Sequence, residues 1–269
     1  MIKLKMRHKR KHVLCAVTFK SLVIGLCLVL SFLTMSIAYA DSGASEVFLK
    51  KSRKLPVYCV QKEEKIVALS FDAAYGSDKT EEIMQVLKKY NATATFFLVG
   101  FWVDKYPDMT LKIHQNGFEI GTHSNNHSHM SKMSAEDISN DLVASITKIE
   151  NITGKKPTVF RAPYGEYNDT LISESEKLGL QTVQWDVDSL DWKGISGDEI
   201  TTRVVSRVKP GSIVLFHNNS DHILDSLDRI LELLTARGYT FSTVGDILYK
   251  ENYVIANNGM QIPIVEDKK

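Results

Sequence analysis

From Lys65 to about residue 250 the chain repeats one pattern: an apolar, often β-branched run of four to six residues, a polar or glycine-containing loop, then an amphipathic stretch of helical length. The runs 66–71, 94–99, 118–121, 158–161, 180–185, 212–216 and 239–242 read as strands. The stretches 79–90, 107–116, 134–151, 168–178, 197–207, 222–237 and 243–249 read as helices. Strands that alternate with helices of this length are joined by crossovers and build a mostly parallel sheet. Seven such units in about 190 residues suit an α/β barrel better than an open sheet covered on both faces, a choice that periodicity alone leaves open. The helix limits carry local chemistry. Ser134-Ala-Glu-Asp137 is a capping-box-like start, Asn168 and Asp169 can cap the next helix, and Gly154, Gly179 and Gly238 follow helical runs where a left-handed residue is expected.

In either arrangement, function gathers where strands end and the loops to the next helices begin. Asp72, His123, Arg161, the segment from Trp185 to Trp192 and His217 all fall at or just beyond the C-terminal ends of expected strands. A solvated loop residue accounts for any one of them singly; their coincidence at one end of a sheet points to a single site. The stretch Glu119-Ile-Gly-Thr-His123-Ser-Asn-Asn-His127 runs an apolar strand into two histidines four residues apart. Neutral imidazole is the commonest side-chain ligand of a divalent metal, so His123 and His127 are the candidate metal pair.

The first forty residues are a separate matter. They hold Lys3, Lys5, Arg7, Lys9, Arg10, Lys11 and Lys20 and no acid, then an apolar run from Leu22 to Ile37, then Ala38-Tyr39-Ala40. A basic region, an apolar region and a small-x-small site make an export signal at 1–40 with cleavage after Ala40, or an uncleaved membrane anchor, the run being long. Leu26 before Cys27 is not the small residue a lipoprotein signal needs. Seven of the 33 basic residues and none of the 32 acidic ones lie in this segment, so the remainder carries a net charge of −6. A basic footprint for nucleic acid is absent. Only Cys59 of three cysteines survives cleavage, which leaves stability to the core rather than to an internal disulfide. Residues 41–64 read as a linker, 65–250 as the domain and 251–269 as a C-terminal tail.

Taken in order, Ser70-Phe71-Asp72-Ala73-Ala74, His123-Ser-Asn-Asn-His127, Arg161-Ala-Pro163-Tyr164-Gly165, Asp188-Ser-Leu-Asp191-Trp192 and Leu215-Phe216-His217 resemble the five motifs of the polysaccharide deacetylases of NodB-homology type, carbohydrate esterase family 4. The resemblance covers about residues 65–245. It implies a distorted (β/α) barrel of seven strands and hydrolysis of sugar N-acetyl groups assisted by a divalent metal, zinc with cobalt or manganese as alternatives. By residue, it implies Asp72 as general base, His217 as general acid, Arg161 paired with Asp72, and Asp191 holding the histidine. The metal and the backbone N–H of Tyr164 would stabilise the oxyanion, and Trp192 and Leu215 would wall the acetyl pocket.

One departure matters. The family's usual first motif has two adjacent aspartates, the second a metal ligand, whereas Asp72 is followed here by Ala73 and Ala74. Asp78, within loop reach, is the substitute ligand; Asp72 itself or waters are the other candidates. The variant pattern resembles the branch found in spore-forming bacteria, which favours a peptidoglycan-like substrate over chitin and an extracytoplasmic, cell-envelope location, with the membrane involved only through the N-terminal segment. Two other classes compete. A glycan-binding module without chemistry would explain Ala73 but not the retained Asp72, Arg161 and His217. A metal-free glycosidase using Asp72 and Asp191 leaves both histidines and Arg161 without purpose.

Overall fold

The computed structural model describes residues 21–35 and 53–264. The chain divides into two units, Met1–Ser52 and Arg53–Lys269. In the first, residues 21–35 are helical and lie within the apolar run of the expected export signal. Among the described residues no helix is long and apolar enough to cross a membrane. The expected cleavage point after Ala40 lies outside the described residues.

The second unit is built around β2 (Ile66–Ala73), which is buried almost throughout. Side chains alternate along a strand, and here the two sets meet different surroundings. Val67, Leu69, Phe71 and Ala73 enter the larger apolar cluster with the helices, while Ala68 joins a separate cluster on the other face and Ser70 and Asp72 follow it there. Phe71 is stacked between Phe96 and Phe216, at 5.1 and 5.4 Å between ring centroids, which ties β2 to both its neighbours.

Those neighbours are β3 (Thr95–Leu98) and β8 (Ile213–His217). With β4 (Glu119–Thr122), β5 (Val159–Arg161), β6 (Gln181–Val183) and β7 (Val187–Asp188) they give a curled seven-strand path in the order β6-β5-β4-β3-β2-β8-β7, parallel at every pairing. This is the distorted α/β barrel that the family resemblance implies and the repeat favours, with two changes of membership. The expected strand 180–185 breaks, because the Asp186 carboxylate accepts from Ile213 N and Ser212 Oγ, both at 2.9 Å, and a second strand starts beyond it. The expected strand at 239–242 becomes β9 (Thr240–Ser242), which pairs only with the first residues of β2 and stands off the main path.

Between β6 and β7 the wall is completed by the incoming chain. Val57 N donates to Thr182 O at 3.0 Å, Gln184 N donates to Val57 O at 2.7 Å, and Val60 N donates to Gly211 O at 2.9 Å. The last contact needs a glycine, since a Cβ on Gly211 would lie 1.7 Å from Val60 O and its φ is +83°. Beyond this seam β1 (Cys59–Val60) forms a small sheet with β11 (Met260–Pro263) and β10 (Tyr253–Ile255). The stretch that reads as a linker (41–64) therefore contributes β1, and the one that reads as a tail (251–269) contributes β10 and β11. Both were too short and mixed for a periodic signal.

The helices are α1 (Thr80–Lys89), α2 (Gly100–Lys105), α3 (Pro107–Gln115), α4 (Ala135–Thr153), α5 (Asp169–Lys177), α6 (Gly197–Arg207), α7 (Ile223–Ala236) and α8 (Val244–Ile247). The expected caps are present: Ser134 accepts from Asp137 N at 3.1 Å, Asn168 accepts from Leu171 N at 2.8 Å, and Gly154 is left-handed. Helix α2 lacks an expectation in the sequence, because its six residues are too few to display a helical period.

Candidate active site

At the C-terminal ends of the strands lies a cavity of about 500 Å³. Asp72 arrives from β2, His123 and His127 from the loop after β4, Tyr164 and Gly165 from the turn after β5, Trp192 from the turn after β7, and Leu215 and His217 from β8; all of them line it. Arg161 and Asp191 stand directly behind this wall, both buried.

Asp72 is the most constrained group. Arg161 Nη1 donates to its Oδ1 at 2.8 Å, while the other guanidinium nitrogen donates to Ser70 Oγ at 2.8 Å and Gln184 O at 3.2 Å. The guanidinium also lies over the Phe97 ring at 4.2 Å, so its plane is fixed on two sides. Burial works to raise the Asp72 pKa, but the charges of His123, Arg161 and His217 and the hydrogen bond from Arg161 outweigh it and hold the carboxyl below the usual range.

The histidine pair is set by its own loop. His123 Nδ1 lies 2.7 Å from Arg161 O, an atom that only accepts, so Nδ1 carries the proton and Nε2 presents a lone pair. His127 has a left-handed backbone (φ +52°), its N–H donates to Ser124 Oγ at 2.8 Å, and the two imidazoles stand 5.0 Å apart and nearly perpendicular. Burial pushes both rings towards the neutral form, His127 to about 4. His123 Nε2 faces Asp72 Oδ2 at 3.5 Å, so two acceptors confront each other with no donor between them, an arrangement a cation relieves. Neutral imidazoles whose far nitrogen is tied to a carbonyl are the ligands such an ion selects. The two-histidine half of the site thus fits a divalent metal. The third protein ligand is not assembled: among the described residues no three His, Cys, Asp or Glu side chains group as a metal cage. Asp78 is exposed and does not line the cavity, so the loop does not bring it to the histidines.

Across the cavity, His217 Nδ1 donates to Asp191 Oδ1 at 2.8 Å, and the His217 backbone N–H donates to Asp191 Oδ2 at 2.7 Å. Burial alone would lower the His217 pKa, but the hydrogen bond and charge of Asp191, with the charges of Asp72 and Asp188, raise it. Leu215 is buried in the cavity floor, whereas Trp192 and Tyr164 are mostly exposed at its mouth. Tyr164 has φ +60° and is clamped: its Oη donates to His127 O at 3.2 Å, and its ring stacks on His129 at 4.4 Å.

Three groups escape sequence reasoning. Ser70 orients Arg161. Tyr75 joins the cavity wall. Asp141, buried on α4, accepts from Asn125 N at 2.7 Å and Asn126 Nδ2 at 3.1 Å and so shapes the loop between the two histidines. Its signal was available, a carboxylate in register with Ile138, Leu142 and Ser145 on the buried helix face. Asn218, next to His217, is buried and donates to Gly76 O and Thr80 Oγ1, whereas Asn219 lines the cavity.

Known proteins are similar both to this sequence and to this curled parallel barrel. The model of the family described as "Polysaccharide deacetylase" matches residues 60–183. A peptidoglycan-N-acetylglucosamine deacetylase of Bacillus cereus is 35% identical over 194 residues, covering 70% of this chain and 91% of that protein. The chain belongs to the polysaccharide deacetylase family. Peptidoglycan-N-acetylglucosamine deacetylase PgdA of Listeria monocytogenes is 33% identical over 82% of this chain, which spans about half of that relative, 47%. Among solved structures, one described as a CE4 family pseudoenzyme from Bacillus anthracis matches with a TM-score of 0.70 and 30% identity, over 72% of this chain and 69% of that one.

Proposed function

We propose that this chain is an exported, metal-dependent polysaccharide N-deacetylase that acts on a peptidoglycan-like glycan of the cell envelope and releases acetate. The observation that carries the reading is the opposite tuning of two groups on one cavity: Asp72 is held ionised and His217 is held towards its protonated form. A site that pushes two titratable groups apart in this way has a base and an acid ready together. Asp72 takes a proton from the water that attacks the acetyl carbonyl. His217, steadied by Asp191, gives a proton to the sugar nitrogen as its bond to carbon breaks, so acetate and a free amine leave. Leu215 and Trp192 hold the acetyl methyl, and the Tyr164 backbone N–H is the protein's own donor to the oxyanion. His123 and His127 would hold the metal, which when bound polarises the acetyl carbonyl and makes water more acidic. Zinc suits two imidazoles, and cobalt or manganese are the alternatives.

A second reading has a specific observation in its favour. The absent third ligand, together with the likeness to a protein described as a pseudoenzyme, fits a domain that holds glycan without cleaving it. Acetate release decides between them. The full chain is assayed on N-acetylated peptidoglycan and chitooligosaccharides after chelation and after addition of zinc, cobalt or manganese. Activity that dies with chelator, returns with metal and is absent in Asp72→Asn and His123→Ala is the expected result. Glycan binding with no acetate under any metal overturns the enzymatic reading.

A further inference from the structure

Soluble domains bury their large aromatic side chains, so those left outside are informative. Residues 53–264 expose seven large apolar side chains, and the four aromatic ones are Tyr75 (65% exposed), Phe101 (36%), Tyr164 (58%) and Trp192 (58%). Tyr75, Tyr164 and Trp192 line the cavity, and Phe101 packs against Tyr75 at 6.1 Å between centroids with a 44° tilt. Every exposed aromatic ring of this unit thus gathers at one mouth.

The rings are not equivalent. Tyr164 has one face covered by His129 and its edge set against His127, and Trp192 carries the Lys193 ammonium 5.0 Å from its ring. Tyr75 and Phe101 have only each other. Their positions are nonetheless rigid. The carbonyl of Gly76, next to Tyr75, accepts from Trp102 Nε1 at 2.6 Å and Asn218 Nδ2 at 2.9 Å. Gly100 N and Phe101 N donate to Ser124 O and Asn125 O, at 2.9 and 3.2 Å, so the first turn of α2 is tied to the very loop that carries His123 and His127. A fixed pair of open rings at the mouth of this cavity is a platform for a ligand that presents flat apolar faces in series. Pyranose rings do this through their axial C–H groups, which pack against the electron-rich face of an exposed aromatic ring.

We infer that Tyr75 and Phe101 form a stacking platform for the sugar next to the one in the cavity, making the site selective for glycan chains over single N-acetylated sugars. The platform rests on the reading that the cavity takes an N-acetylated glycan, and it is independent of turnover. The occupant is a chain because Tyr75 is continuous with the cavity wall: a sugar stacked there is covalently one unit away from the sugar whose acetyl group enters.

The test is calorimetric titration of the full chain, with chelator present to suspend turnover, using N-acetylglucosamine and its dimer, tetramer and hexamer. Affinity of the unaltered chain rises with length. Tyr75→Ala with Phe101→Ala weakens the tetramer about tenfold, the loss expected when roughly 55 Å² of apolar ring face is left uncovered, and flattens the dependence on length. Tyr75→Trp preserves it, and Val254→Ala, an exposed apolar change elsewhere, does not touch it. Length dependence that survives the double alanine change, or a loss equal at every length, overturns the platform while leaving the cavity reading intact. Failure of the unaltered chain to bind any of the four overturns both.

Discussion

Arg161→Met is the most informative single change, because it removes the guanidinium and leaves its carboxylate partner sealed in the protein. Arg161 is wholly buried and Asp72 nearly so, at 0% and 6% exposure. Three donated hydrogen bonds go with the side chain, to Asp72, Ser70 and Gln184. Breaking a buried pair from one side costs about 3–5 kcal/mol, a large part of the roughly 5–15 kcal/mol that holds a domain folded. The pH dependence adds a sign. In the unaltered protein the Asp72 pKa is depressed, so its contribution is present above the unfolded carboxyl's value near 3.9 and is lost as pH falls through the lower folded value. Without the guanidinium, burial is opposed only by the histidines and the folded pKa rises. The variant's penalty then exists at neutral pH and fades as acid protonates the buried carboxyl. Urea unfolding followed by circular dichroism, with chelator present, should give the full deficit at about pH 7 and a clearly smaller one near pH 4.5. Adding Asp72→Asn to Arg161→Met should recover at least about 2 kcal/mol, since the stranded charge is gone. A deficit under about 1 kcal/mol, or one that is the same at both pH values, would refute the claim that the guanidinium is what keeps this carboxylate charged.

Asp191→Asn removes the charge that raises His217 and one of the two hydrogen-bond acceptors it faces. The imidazole should titrate lower by NMR, and the alkaline limb of acetate release should move down with it; a stationary limb refutes Asp191's role. The two alanines after Asp72 should answer differently to a carboxylate. Ala73→Asp buries an unpaired charge in the helix-facing core and should cost about 3 kcal/mol or more in urea unfolding. Ala74→Asp opens onto the cavity and should tighten zinc binding at least about tenfold by calorimetry; equal effects from the two would refute the assignment of faces.

The fold was legible where the chain is periodic. Seven alternating units pointed to a mostly parallel sheet and favoured a barrel, and the capping residues Ser134, Asn168 and Gly154 marked helix limits that the structure retains. It was illegible where a few residues do work set by distant partners. Val57 closes the wall by hydrogen bonds to Thr182 and Gln184, more than a hundred positions along the chain, and nothing local marks it. The break between β6 and β7 depends on the Asp186 carboxylate finding Ile213 and Ser212, again a long-range pairing. The site was legible as a set of strand ends, but the order of its parts was not. Sequence offered Asp78 by loop reach, and the loop turns instead on Gly76, whose carbonyl is held by Trp102 and Asn218, leaving Asp78 outside.

The alternation of β2 ties these points together. Ser70 and Asp72 share the face that meets Arg161, and Ala73 falls on the other, fully buried beside Phe71 and Leu98. Neighbouring side chains point to opposite sides of a strand, so in this chain Ala73 does not share the face of Asp72. Ala74 is the first residue past the strand to reach the cavity, and it carries no donor. What remains opposite His123 is Asp72 itself, with Oδ1 engaged by Arg161 and Oδ2 facing Nε2. The same carboxylate is thus the base of the proposed reaction and the nearest anionic oxygen to any ion on the histidines. His123 and His127 would hold an ion there, and its charge would lower the basicity of Asp72; a carboxylate at Ala74 would relieve Asp72 of that role, so on the proposed reading the residue after the strand is the one that decides whether Asp72 is free to act as base.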